Sequence, residues 1–125
     1  MAVAMTVSTR DGLGCAIVAA SGDVDISTSP DLREALGRVV AEGNRAVVVD
    51  LSAVKFIDST GLGVLVGAFT AVRNAGGRLA VVNDHSAVIK VLTITALHDV
   101  LGVQPTLEGA VMVSTLITAE WSLRT

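Results

Sequence analysis

The chain has 125 residues, of which 51% are hydrophobic and 17% are charged, and its formal net charge at pH 7 is −3. This length suits one domain with its own core, and so many aliphatic side chains exclude a disordered chain. The uncharged stretch from Ser59 to Val72 is shorter than the ~18 residues of a membrane-spanning helix. No basic segment followed by an apolar one begins the chain, so we expect a soluble protein without a signal peptide.

Composition also disfavours nucleic-acid binding and metal chemistry. Lysine and arginine form no cluster, and only 2% of the residues are aromatic, so a surface for stacking bases is not expected. The single Cys15 excludes an internal disulfide and a multi-cysteine metal site, and its apolar neighbours indicate a buried structural thiol. His85 and His98 lack the spacing of metal ligands, so each is expected in a loop or at a helix end. We expect no cofactor and no metal.

The N-terminal part of the chain predicts a hairpin followed by a helix. The apolar stretches Met5–Val7 and Cys15–Ala20 flank a turn near Asp11-Gly12, which is typical of an antiparallel hairpin. Ser29 is the expected N-cap of the helix, because a proline and an aspartate follow it. Gly43 is expected to end that helix.

The rest of the chain alternates strands and helices. Ala46–Leu51 is typical of a central strand, Arg78–Val82 predicts the next strand, and a helix lies between them. Ser86 is expected to cap a further helix, Val100–Val103 to form a last short strand, and Thr106 to open a C-terminal helix. This order predicts one α/β domain with a mixed, mostly parallel sheet of about five strands packed with about four helices.

Polar residues follow several of the predicted strands. In α/β sheets, sites gather at the carboxyl ends of the strands. The segments expected there are Gly22–Asp25, Asp50, Asp58–Gly61 and Asn83–Asp84. The side chains of Asp58–Thr60 precede a helix and are natural caps for its unpaired amides. Gly61 and Gly63 remove side chains from the first turn, which suits close approach by another protein, and Leu62 is either a core anchor or an exposed contact.

These residues by themselves allow several interpretations. The simplest is a capped helix start with no further role. Gly61, Gly63 and Gly67 resemble a dinucleotide-binding loop, but the third glycine comes one residue late and the chain is short for that fold. Asp50 suits the phosphoryl acceptor of a receiver domain, although the acidic pair and the lysine of such domains are out of place. Hydrolysis is disfavoured, because the sequence shows no nucleophile elbow and no base beside Ser59.

The segment Asp58-Ser59-Thr60-Gly61-Leu62-Gly63 resembles the STAS domain family, and in particular the bacterial anti-sigma factor antagonists. The resemblance also includes Gly22–Asp25, Thr28–Arg33, Val47–Leu51 and Gly76-Gly77. It implies a single STAS domain over residues 1–125, with a core of about residues 4–118 and a C-terminal extension over residues 119–125. Such a domain has the mixed sheet and the helices that the pattern predicts.

The resemblance implies a regulatory switch without catalytic residues. In this family the unmodified protein binds an anti-sigma factor that is also a serine kinase, and this binding releases a sigma factor. Ser59 matches the serine that the kinase phosphorylates to end the binding, and a serine phosphatase reverses the modification. The protein is then cytoplasmic, with neither nucleic acid nor membrane as a partner. The implied partner surface comprises Asp23, Asp25, Asp58, Thr60, Gly61, Leu62, Gly63, Asn83 and Asp84.

One alternative within the family and one departure from it remain. A STAS interaction module in a larger sensory or transport assembly would need no modification of Ser59. Family members often carry glycine where this chain has Ala96. If the backbone there is left-handed, alanine costs about 1–2 kcal/mol.

Overall fold

The computed structural model describes residues 6–12 and 14–124, and from residue 116 onward only the backbone. The elements are β1 (Thr6–Gly12), β2 (Cys15–Ser21), α1 (Ser29–Ala41), β3 (Ala46–Ala53), α2 (Ser59–Asn74), β4 (Arg78–Val82), α3 (Ser86–Ile94), β5 (Val103–Gln104) and α4 (Leu107–Arg124).

The strands form one sheet in the order β1-β2-β3-β4-β5. The first pair is antiparallel, with Gly12 opposite Cys15, and every later pair is parallel. In the centre of the sheet, Val47 lies between Ala16 and Leu79. The predicted mixed, mostly parallel sheet with its N-terminal hairpin is therefore confirmed.

Alternation along the strands divides the core into two layers. On one face, Val47, Val49 and Leu51 belong to a core that includes residues of α1, α2 and α3. On the other face, Val48 packs in a smaller cluster with Ala110 of α4. Because the first half of β3 is covered on both faces, residues Ala46–Val49 form a continuous aliphatic run, which is typical of parallel central strands.

Two boundaries differ from the sequence predictions. The hairpin turn follows Gly12, so Asp11 and Gly12 pair within the strand instead of forming the turn. The last strand begins at Val103, because the preceding backbone is engaged in local turns. There Leu101 N–H donates to Leu97 O at 2.9 Å and Val103 N–H donates to His98 O at 3.0 Å. These local hydrogen bonds leave only two residues to pair with β4.

The predicted serine caps are wrong. Ser29 is buried inside α1, its hydroxyl has no partner, and Thr28 is the residue that precedes the helix. Ser86 likewise lies inside α3, which His85 precedes without a side-chain cap. Thr106 does act as predicted, since its hydroxyl accepts from the amide of Gly109 at 3.1 Å.

Cys15 is buried, as predicted. Its thiol donates to the Gly12 carbonyl at 3.3 Å. Burial raises the pKa of the thiol, and a hydrogen bond with Ser114 opposes that effect. The protonated form is therefore favoured, as a structural role requires.

Helix α3 ends in a hydrogen-bonded C-cap that normally requires glycine. Ala96 N–H donates to Thr93 O at 3.1 Å, and Leu97 N–H donates to Leu92 O at 2.9 Å. These two bonds define a Schellman motif, in which the residue at the position of Ala96 is left-handed. Ala96 has a φ of 61° and is the one non-glycine residue with positive φ in the part of the chain that the structure describes.

We expect Ala96→Gly to raise the free energy of unfolding by about 1 kcal/mol, because glycine adopts positive φ without steric cost. Urea denaturation measures the change. The matched control is Ala75→Gly, since Ala75 is also exposed after a helix but has a φ of −82°. There glycine only adds freedom to the unfolded chain and should be destabilising. Equal effects of the two substitutions would contradict the expected strain at Ala96.

Candidate functional site

The loop between β2 and α1 lies against the segment that leads into α2. We call residues 22–28 the first loop and residues 54–58 the second loop. Val24 and Ile57 form an isolated parallel bridge between them. Val24 N–H donates to Phe56 O at 3.0 Å, and Asp58 N–H donates to Val24 O at 3.1 Å. The predicted segments Gly22–Asp25 and Asp58–Gly61 therefore come together.

The Asp58 carboxylate joins these loops to the start of α2. Its Oδ1 accepts from the amide of Gly61 at 3.0 Å, which makes Asp58 the N-cap of the helix. Its Oδ2 accepts from the amide of Ile26 at 3.2 Å. Both oxygens thus accept hydrogen bonds from backbone amides. Asp58 therefore fixes the position of the first loop relative to the start of α2 and also contributes a charge there.

Asp25 organises the first loop. Its Oδ1 accepts from the hydroxyl of Ser27 at 2.7 Å, and also from the amides of Ser27 and Thr28 at 2.9 and 3.1 Å. The Thr28 hydroxyl in turn donates to Asp23 O at 2.7 Å. Hydrogen bonding, with that from the Ser27 hydroxyl as its largest part, lowers the pKa of the Asp25 carboxyl. Neither Ser27 nor Thr28 was predicted to be a site residue, although an aspartate followed by serine and threonine is a recognisable turn signal.

Ser59 is the first residue of α2, and its side chain is exposed. Within the described part of the chain, its hydroxyl has no hydrogen-bond partner, and the amides of Ser59 and Thr60 have no acceptor. A helix N-terminus carries partial positive charge and favours anions. Chemically, the position offers an accessible nucleophilic oxygen, with donors close by for an added negative group.

The three residues after Thr60 have different roles. Gly61 is buried, and a Cβ on it would lie 2.7 Å from side-chain carbons of both Val24 and Ile57. Leu62 is only 8% exposed and belongs to the core. Gly63 is exposed, and a Cβ there would meet nothing within 4 Å. Of the three, only Gly63 offers backbone that another protein could reach. The backbone access expected at Gly61 is wrong, and Leu62 takes the first of its two predicted roles, that of a core anchor rather than an exposed contact.

The side chain of Asn83 holds the second loop from the interior of the protein. It is 1% exposed, and its Nδ2 donates to Leu51 O at 2.9 Å and to Val54 O at 3.0 Å. Its Oδ1 accepts from the amide of His85 at 2.8 Å. Buried in this way, Asn83 cannot contact a partner as the sequence led us to expect. Its neighbour Asp84 is exposed and remains available.

The geometry removes two of the alternative interpretations. Receiver-like sheets have the order 2-1-3-4-5, whereas this sheet begins with an antiparallel hairpin and runs in sequential order. Asp50 instead accepts from the amide of Ser52 at 3.0 Å, a local structural bond. A dinucleotide loop needs open space at its glycines, but Gly61 is packed inside a helix against Val24.

Among the residues that the structure describes, no three His, Cys, Asp or Glu side chains are grouped so that they could hold a metal ion. Over the same residues, every helix is too short or too polar to cross a membrane.

Comparisons with known proteins agree with this architecture. The model of the STAS domain matches residues 4–110. The anti-sigma-B factor antagonist of Bacillus subtilis is 36% identical over 91 residues, which are 73% of this chain and 83% of that protein. The crystal structure of an anti-sigma factor antagonist from Mycobacterium paratuberculosis superposes with a TM-score of 0.83 and 31% identity, over 91% of this chain and 98% of that one.

A more distant likeness concerns the fold alone. The anti-sigma factor antagonist SpoIIAA of Bacillus, in its unphosphorylated form, superposes with a TM-score of 0.72 and 17% identity. The match covers 86% of this chain and 94% of that one. The phosphorylated form of SpoIIAA superposes with a TM-score of 0.67.

We expect Gly61→Ala to destabilise the protein by at least about 2 kcal/mol, because the new methyl group overpacks against Val24 and Ile57. Gly63→Ala is the matched control in the same helix. It adds a methyl group in open space and should stabilise by up to about 1 kcal/mol through helix propensity. Chemical denaturation of both variants measures the difference. Equal changes in the two variants would show that Gly61 is not held by packing.

We expect Asp25 to titrate below the ordinary aspartate range and Ser27→Ala to raise its pKa toward that range. A lowered folded-state pKa stabilises the fold above the unfolded-state value, and this contribution is lost as the pH falls through the folded-state value. Carboxyl-carbon NMR shifts against pH report the titration. Ser86→Ala, at an exposed site in α3, should leave it unchanged. An unaltered pKa in Ser27→Ala would contradict the role given to the serine hydroxyl.

Proposed function

This chain belongs to the STAS domain family, and on that premise we propose that it is a non-enzymatic, cytoplasmic anti-sigma factor antagonist controlled at Ser59. In its unmodified form it binds an anti-sigma factor with serine kinase activity and so releases a sigma factor. Phosphorylation of Ser59 ends the binding, and a serine phosphatase restores it. No cofactor, nucleic acid or membrane takes part. The observation that carries the proposal is the exposed Ser59 hydroxyl at the N-terminus of α2, which has no hydrogen-bond partner in the described part of the chain.

The geometry favours Ser59 over its neighbours as the modified residue. Ser59 is exposed, whereas Thr60 is partly buried and Asp58 has both carboxylate oxygens bound to backbone amides. A kinase must bring the acceptor oxygen in line with the transferred phosphoryl group, which needs a side chain that projects from the surface. Since the Ser59 hydroxyl has no hydrogen-bond partner among the residues that the structure describes, its modification breaks no hydrogen bond seen there.

A phosphate at Ser59 is compatible with the folded domain. It adds about −1.5 to −2 charges, and the free amides and dipole at the start of α2 stabilise negative charge. The likeness of fold to both forms of SpoIIAA is consistent with this view. We therefore assign the switch to the partner surface and not to a change of fold.

The same phosphate opposes partner binding. The first and second loops contain the carboxylates of Asp23, Asp25 and Asp58 and the single ammonium group of Lys55, a net charge of −2. Burying an additional dianion among these groups without a matching cation is unfavourable. A loss of about 3 kcal/mol weakens binding more than a hundredfold. One modification at a preformed surface is thus sufficient to reverse the interaction.

We expect Ser59→Ala to bind the anti-sigma factor and to resist modification by ATP, because the variant lacks the acceptor oxygen and keeps the surface. Purified anti-sigma factor kinases of the source organism are incubated with ATP and each chain, and intact mass with site mapping follows. Thr60→Val is the matched control, since it keeps Ser59 and should be phosphorylated like the wild-type chain.

Phosphate that still enters Ser59→Ala, at Thr60 or as a hydroxylamine-sensitive acyl phosphate at Asp50, would contradict the assignment. If none of the kinases binds the wild-type chain, the antagonist function is wrong. A stable complex with a sensory or transport protein would then favour the interaction-module alternative.

A further inference from the structure

Two large apolar side chains lie exposed on the two loops that meet at the start of α2. Ile26 in the first loop is 75% exposed, and Phe56 in the second loop is 49% exposed. Both are in segments whose other exposed residues are polar or charged. Sequence reasoning singled out neither as a contact, because an isolated apolar residue in a loop has no pattern that distinguishes it from a core residue.

The backbone fixes both side chains at the surface. Val24 and Ile57 are paired across the loops and buried, so alternation along the second loop turns Phe56 outward. The bond from the Ile26 amide to the Asp58 carboxylate places Ile26 directly beside the start of α2. Neither residue needs to move to reach a partner, which lowers the ordering cost of binding.

The pair differs from the other exposed apolar residues of the chain. Val66, Ile94, Val100 and Met112 are also exposed, but they belong to different helices or turns away from these two loops. Single exposed apolar residues are common and need no explanation. Two on loops that are hydrogen-bonded to each other, and that also contain Asp23, Asp25 and Asp58, form a surface with both apolar and acidic character.

We propose that Ile26 and Phe56 are the apolar anchors by which the anti-sigma factor holds this protein, a proposal that rests on the proposed function. Binding energy in interfaces is concentrated in a few well-packed side chains, with polar groups around them that exclude water. The partner then offers an apolar pocket to each anchor. The net charge of −2 on the two loops requires basic groups at the rim of these pockets.

This arrangement explains why Ser59 is an effective switch position. Ser59 directly follows Asp58, whose carboxylate accepts from the Ile26 amide, and it comes three residues after Phe56, so a partner seated on both anchors also covers the Ser59 hydroxyl. A phosphate there cannot remain hydrated unless the anchors leave their pockets. The anchors therefore supply the affinity that the phosphate removes.

The experiment measures binding of alanine variants to the anti-sigma factor kinase that binds the wild-type chain. We expect Ile26→Ala and Phe56→Ala each to weaken binding about tenfold or more. Ile94→Ala is the matched control for Ile26, because Ile94 is 73% exposed but lies at the end of α3. Met112→Ala on α4 is a second control, and both should stay within twofold of the wild-type chain.

Further readouts separate anchoring from loss of structure. Phe56→Leu keeps an apolar side chain and should lose only part of the affinity. In the kinase assay, the two alanine variants should raise KM for this protein and leave kcat nearly unchanged, since Ser59 is intact. Thermal melts confirm that each variant is folded.

Two outcomes overturn the proposal, and they can be told apart. If Ile26→Ala and Phe56→Ala bind as tightly as the Ile94→Ala control, the anchors are wrong while the antagonist function stands. If the wild-type chain binds no anti-sigma factor, both proposals fail.

Discussion

The hydrogen bonds of the Asp58 carboxylate are the interaction on which the functional surface depends. One oxygen caps α2 through the amide of Gly61, and the other holds the first loop through the amide of Ile26. A single side chain thus sets the position of Ser59 relative to Asp23 and Asp25. Without it, the loop and the helix start would be joined only by the Val24–Ile57 bridge and the core beneath it.

Packing below the surface makes this arrangement rigid. Gly61 brings α2 close to Val24 and Ile57, where any side chain would collide. Asn83 fastens the second loop to the end of β4. A surface that is already organised has little ordering entropy to lose on binding, so its affinity responds directly to local charge. In the proposed function, a modification at Ser59 therefore acts through local charge and not through a change of fold.

Much of the fold was predictable because local and global preferences agree. Residues 46–49 of β3 and 79–82 of β4 are aliphatic runs that only a covered sheet can bury. The prediction of caps at Ser29 and Ser86 was wrong, since the position of a cap depends on where the preceding loop ends. At α1 the bonds around Asp25 and Thr28 occupy the residues before the helix, and Ser29 falls inside it. At Ala96, the hydrogen bonds of the C-cap of α3 impose a left-handed backbone on a residue that does not itself favour one.

The sequence by itself determined the α/β class, the central strands and the segment from Asp58 to Gly63, because these follow from periodicity and from a contiguous motif. Only the tertiary structure decided which residues of that segment face outward. Gly61 and Leu62 turned inward, Asn83 became a buried support, and Ile26 and Phe56 became exposed on the two loops that meet at the start of α2. The physical reason is that exposure depends on contacts between residues about thirty positions apart, such as Ile26 and Asp58, which no local pattern records.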